Sequence, residues 1–98
     1  MATVFDLLQV DPDDPAALDE CAKRLWADCH QMRREIGDLI RQGCEEYIVN
    51  DLRSHRQATL EHLRACRDRI AVLRSKHSEA LRAWNAGEPI RAAEAANE

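Results

Sequence analysis

Two stretches of this chain repeat apolar residues in alternating steps of four and three. The first row reads Leu18, Ala22, Leu25, Cys29, Met32, Ile36, Leu39 and Gly43. The second, introduced by Val49 and Leu52, runs through Leu63, Cys66, Ile70, Leu73, His77, Ala80 and Trp84. Such a period keeps every member of a row on one helix face, so each row predicts a helix packed lengthwise on another helix. The rows do not share a phase. With Cys29, Ile36 and Gly43 as a positions the next a falls on Asn50, whereas the second row needs Val49. A slip of one residue is neither of the usual coiled-coil discontinuities, so the chain predicts a break rather than one straight helix.

The break has two candidate places. Gly43 follows Arg41-Gln42 and can take the left-handed conformation that ends a helix, and Glu45-Glu46 suit the first turn of the next one. Asn50-Asp51 is the rival, with better N-capping chemistry. Gly43 is favoured because it keeps Val49 and Leu52 as core. Upstream, Thr3-Val4-Phe5-Asp6 has the form of a capping box and starts a short helix carrying Phe5, Leu7 and Leu8. Asp11-Pro12-Asp13-Asp14-Pro15 stops it, with Asp14 as N-cap and Pro15 as first residue of the next helix. Helices are expected at about 3–9, 14–42 and 45–85. Together they form a single helical domain over 1–87, ended by Gly87 and Pro89, with a short Ala-rich tail over 88–98.

The composition agrees with an all-α fold. A third of the residues are charged, four are aromatic, and glycine and proline number three each. Helix formers dominate, and the only run of strand-favouring residues is Tyr47-Ile48-Val49. The expected architecture is an antiparallel hairpin of two long helices with coiled-coil-like packing and a short N-terminal helix. A turn at Gly43 sets Leu25 against Leu63, Ala22 against Cys66, Cys29 against Thr59 and Ile36 against Leu52. A turn near Ile48 would instead set Cys29 against Cys66. Residues 1–50 hold eleven acids and five bases, while 51–84 hold four acids and eight bases. Opposite signs on the two halves predict internal pairing, with Asp28 and Glu35 facing His55, His62, Arg69 and Lys76.

One hairpin seam leaves apolar surface over. Beside it runs a second row, Trp26, Ile40 and Tyr47 on one helix, Leu60 and Leu81 on the other, interrupted by Arg33, Arg67 and Arg74. A stripe that wide belongs to a bundle of three or more helices. Either a second copy covers it, giving a dimeric four-helix bundle, or another protein does, or Trp26 packs under the N-terminal helix as ordinary core. Trp26, Ile40, Leu60, Leu81 and Trp84 are the candidate partner-binding residues, with Arg67 and Arg74 at the rim. Arg56 and His77 are polar members of the core track and are expected to snorkel or to set register.

No chemistry-bearing motif competes with this reading. A phosphate loop, a nucleophile elbow, a zinc-protease helix and inward Glu-x-x-His pairs are all missing from the sequence. Cys29, His30, His62 and Cys66 could supply zinc ligands, but His30 points outward and their spacing forms no compact motif. No enzyme activity, metal or cofactor is expected. The four cysteines fit buried thiols in a reducing compartment. No apolar run is long enough for a membrane span and no signal peptide opens the chain, so a cytoplasmic setting is expected. The Ala-, Arg- and Asp-rich style suggests a bacterial or phage accessory protein. The expected function is a small interaction module acting as adaptor, chaperone or inhibitor. The alternative is a dimeric helical hairpin binding nucleic acid through the Arg-rich last helix, although its arginines are interleaved with Glu61, Asp68 and Glu79.

Overall fold

The computed structural model describes residues 2–86, so the expected tail over 88–98 lies outside the described residues. Three helices follow in order: α1 (Val4–Leu8), α2 (Pro15–Arg41) and α3 (Glu46–Asn85). No strand occurs among the described residues. The long helices pack lengthwise as an antiparallel hairpin within an envelope of 68 × 28 × 15 Å.

Each helix begins and ends for a local reason. The Thr3 hydroxyl accepts from the Asp6 N–H and the Asp6 carboxylate accepts from the Thr3 N–H at 2.8 Å, a reciprocal cap for α1. The Asp14 carboxylate accepts from the Ala16 and Ala17 N–H groups at 3.0 and 3.2 Å, and Pro15 occupies the first turn, where its missing N–H costs nothing. Gly43 sits at φ 71°, its N–H donating to Ile40 O at 3.1 Å and the Cys44 N–H to Leu39 O at 3.0 Å. That is a Schellman ending, and it requires a residue tolerant of the left-handed region. The phase slip between the two rows is absorbed here, and α3 runs unbroken through Asn50-Asp51.

The core is a thin seam. Leu18, Cys21, Ala22 and Leu25 of α2 meet Leu63, Cys66 and Ile70 of α3, with Phe5, Leu8 and Val10 packed on from the N-terminal segment. The register follows the turn at Gly43. Arg56 Nε donates to the Cys29 carbonyl at 3.2 Å, which places Cys29 level with the Arg56–Thr59 turn. Cys66 lies in the same layer as Cys21 and Ala22, so Cys29 and Cys66 occupy different layers. Thr59 is buried yet satisfied, because its hydroxyl donates to the His55 carbonyl of its own helix at 3.0 Å.

The expected charge pairing across the hairpin is corrected. Among the described residues neither Asp28 nor Glu35 makes an ion pair, and Glu35 accepts only from Gln31 one turn away. Arg69, assigned to that flank, turns to the connection before α2: Nε donates to Pro12 O at 2.7 Å, and the guanidinium pairs with Asp13. The physical reason is position. Leu8 of α1 lies beside Asp28, Val4 and Leu7 lie beside His62, and the connection takes Arg69, so α1 and its connection occupy the flank where Asp28 would have met its bases.

Candidate protein-docking face

α1 decides which side of the hairpin stays open. Leu8 lines a cleft with Cys21, Arg24, Leu25 and Asp28, and Val4 and Leu7 line another with Glu61, His62 and Ala65. These residues lie on one flank of the α2–α3 seam. On a helical wheel of 100° per residue, Trp26 and Arg67 project on the other flank. The reading of Trp26 as core beneath the N-terminal helix is therefore overturned: its side chain is 47% exposed on the face that α1 leaves bare.

Around Trp26 the structure builds a defined surface. The Arg67 guanidinium carbon lies 5.4 Å from the indole centroid, within cation–π range. The His30 ring meets the indole edge-on, with centroids 4.4 Å apart and planes at 89°. Between the helices runs a groove of about 360 Å³ lined by Asp19, Lys23, Trp26, Arg67, Ala71 and Arg74 together with the buried Ala22 and Ile70. The Lys23 ammonium is 3.1 Å from the Asp19 carboxylate, which raises the Lys23 pKa and keeps the groove wall charged but locally neutral.

The expected partner-binding residues thus fall into separate stations. Trp26, Arg67 and Arg74 share the groove. Leu60 is half-buried against the core and serves the seam as much as the surface. Ile40, 52% exposed, lies near the Gly43 turn, about 20 Å along the hairpin from Trp26 at 1.5 Å per residue. Leu81 and Trp84, 48% and 64% exposed, lie on α3 beyond the start of α2, roughly 30 Å the other way. Tyr47 and Ile48 add exposed apolar surface at the turn end.

Some residues of this face are not evident from the sequence pattern. His30 reads there as merely outward-pointing, yet it stands four residues after Trp26, a spacing at which helical side chains meet. Asp19 and Lys23 have the same spacing. Arg67 against Trp26 needs the hairpin register. Arg56 is half-buried and bonded to a carbonyl, while His77 is exposed.

The cysteines form no chemical centre of the kind a zinc ion needs. Cys66 is fully buried, and burial, reinforced by Cys21 beside it, pushes its thiol up to about 11. Burial also raises Cys29. Both thiols are poor nucleophiles near neutral pH. No group of three or more His, Cys, Asp or Glu side chains able to hold a metal occurs among the described residues. No described helix is long and apolar enough to cross a membrane. Comparison with protein-family models, curated proteins and solved structures finds no match for this chain.

Proposed function

We propose that this protein is a non-enzymatic interaction module that docks a helix of another protein on the bare flank of its hairpin, acting stoichiometrically as an adaptor, chaperone or inhibitor. Trp26 carries this reading. It is a half-exposed indole oriented by Arg67 and His30 beside a groove, and pre-positioned aromatics ringed by polar groups are where interface energy concentrates. A second copy seated on the same flank would give the expected dimeric four-helix bundle; a foreign helix would use the same contacts. The four free thiols suit a reducing cytoplasm.

Nucleic acid is the weaker reading on physical grounds. Of the arginines on α3, Arg56 is engaged with the Cys29 carbonyl, Arg67 with Trp26 and Arg69 with Pro12 and Asp13. The remaining arginines of that helix, Arg53, Arg64, Arg74 and Arg82, share one sector of the helical wheel, but they are spread along about 40 Å of helix and are bordered by the acids Glu61, Asp68 and Glu79.

The test pairs wild type and Trp26→Ala as baits in extract of the native host, followed by calorimetry with the purified captured protein. The expected result is a protein held by wild type and lost by the variant at unchanged melting temperature. Equal capture by both baits would remove Trp26 from the docking face. Nanomolar RNA or DNA binding at physiological salt, lost on Arg74→Ala, would replace the reading altogether.

A further inference from the structure

Two clefts meet on the bare flank. Trp26 lines the groove between the helices, and His30, whose ring touches that indole, lines a second cleft formed by α2 alone. Each cleft holds one acid, and each acid is already neutralised: Asp19 pairs with Lys23 in the groove, and Asp38 with Arg41 in the second cleft. Four further guanidinium groups line the same surface, Arg67 and Arg74 in the groove and Arg33 and Arg34 in the second cleft, all on exposed residues. None of the four forms an ion pair among the described residues. The acids that flank them along α3, Glu61, Asp68 and Glu79, project about 100° or more around the helix from Arg67 and Arg74. The flank is therefore a strip of uncompensated positive charge with a tryptophan at its middle.

We infer, resting on the docking reading above, that the helix received by this flank is acidic and amphipathic, with carboxylates two turns apart facing Arg67 and Arg74 and an apolar residue between them. Arg67 and Arg74 are about 10.5 Å apart along α3, the separation of side chains at i and i+7 on a helix lying alongside. Ala71 stands about one turn from each and, with Ala22 and Ile70, supplies the apolar contact between the two charges. Beyond Trp26, Arg33 and Arg34 continue the same charge, so the strip from Asp19 to Arg34 runs about 22 Å, roughly four turns of helix. Contact with the indole fixes the place of Arg67 and consumes none of its N–H donors, which remain for a carboxylate.

Charge selects this occupant over two others. A second copy seated flank to flank would bring one basic strip against another, because a two-fold interface uses the same patch on both subunits. A nucleic-acid backbone carries a phosphate at every step and would pass Asp19 and Asp38 as closely as the arginines. A helix places its charges residue by residue, with carboxylates opposite the arginines and neutral side chains opposite the two acids.

Fluorescence anisotropy of three labelled helical peptides, titrated with the full chain, tests the assignment. Each peptide is about 20 residues long, enough to span the strip, and carries the same leucine stripe. The positions beside the stripe are all Glu, all Gln or all Lys. The Glu peptide should bind with a micromolar Kd that weakens as salt rises. The Gln peptide should bind at least about fivefold more weakly, and the Lys peptide not at all. Arg67→Gln and Arg74→Gln should each weaken the Glu peptide about fivefold at unchanged helical content. Arg67→Glu combined with Arg74→Glu should reverse the order and favour the Lys peptide. Equal affinity for the Glu and Gln peptides, or no binding of the Glu peptide, would overturn the inference. A host protein held by wild type and lost by Trp26→Ala would then leave the docking reading itself standing. RNA or duplex DNA bound more tightly than the Glu peptide, or a dimer broken by Trp26→Ala, would give the strip to one of the other occupants and overturn it too.

Discussion

Arg69 reaches across 57 positions of sequence to donate from Nε to the Pro12 carbonyl at 2.7 Å, and the same guanidinium pairs with Asp13. One half-buried side chain of α3 thereby holds the connection between α1 and α2. It also fixes α1 on one flank, which is why the Trp26 flank is the bare one.

Loss of that tether should loosen the N-terminal segment without opening the hairpin. Arg69→Ala is expected to lower stability by about 1–2 kcal/mol, since a charge-assisted bond to a carbonyl is removed. Arg69→Lys should recover less than half of it, because a point ammonium cannot serve the carbonyl and the carboxylate in the planar fork geometry. Urea unfolding followed by circular dichroism measures the change. Hydrogen exchange should locate the loosening in residues 4–12, and an unchanged exchange pattern there would contradict the tether.

The two described glycines of the hairpin should respond to alanine with opposite signs. At Gly43 an added Cβ meets nothing within 4 Å, but φ is +71°, so Gly43→Ala should cost about 1 kcal/mol through backbone strain alone. Gly37 lies inside α2 with only the flexible Arg41 guanidinium near, at 3.6 Å, so Gly37→Ala should stabilise by roughly 0.5–1 kcal/mol. Melting temperatures of the two variants decide this, and a drop for both would show that Gly37 has a packing role.

Thiol chemistry should separate the cysteines by burial. Cys44 is half-exposed beside the turn, while Cys21, Cys29 and Cys66 are buried. Iodoacetamide at neutral pH should modify Cys44 first and the others only on unfolding, as read by peptide mass spectrometry. The Cys66 thiol, held up to about 11, titrates above its unfolded value, so the neutral thiol favours the folded state. That contribution is fully present below the unfolded thiol pKa and disappears as pH rises through about 11. Stability should fall over the alkaline range in wild type and fall less in Cys66→Ala. Equal modification of Cys66 and Cys44 in the folded protein would refute the buried assignment.

Much of this molecule is legible in the order of its residues, because the determining interactions are local or periodic. The 4-3 spacing dictates two lengthwise-packed helices, their one-residue phase slip dictates a break, and Thr3, Asp14, Pro15 and Gly43 mark helix ends through bonds made within a few residues. Helical wheels likewise expose a second apolar row with Trp26 in it. Tertiary structure alone decided the rest. Five residues of α1 are too few to choose a side by their own pattern, and that choice was made by where Phe5, Leu8 and Val10 find the core and where Arg69 finds Pro12. It led in turn to the failure of Asp28 to pair across the hairpin and to the exposure of Trp26 beside Arg67. Periodicity specifies which face of a helix is buried; which of several equivalent neighbours covers that face depends on contacts between residues tens of positions apart, and no local spacing encodes those.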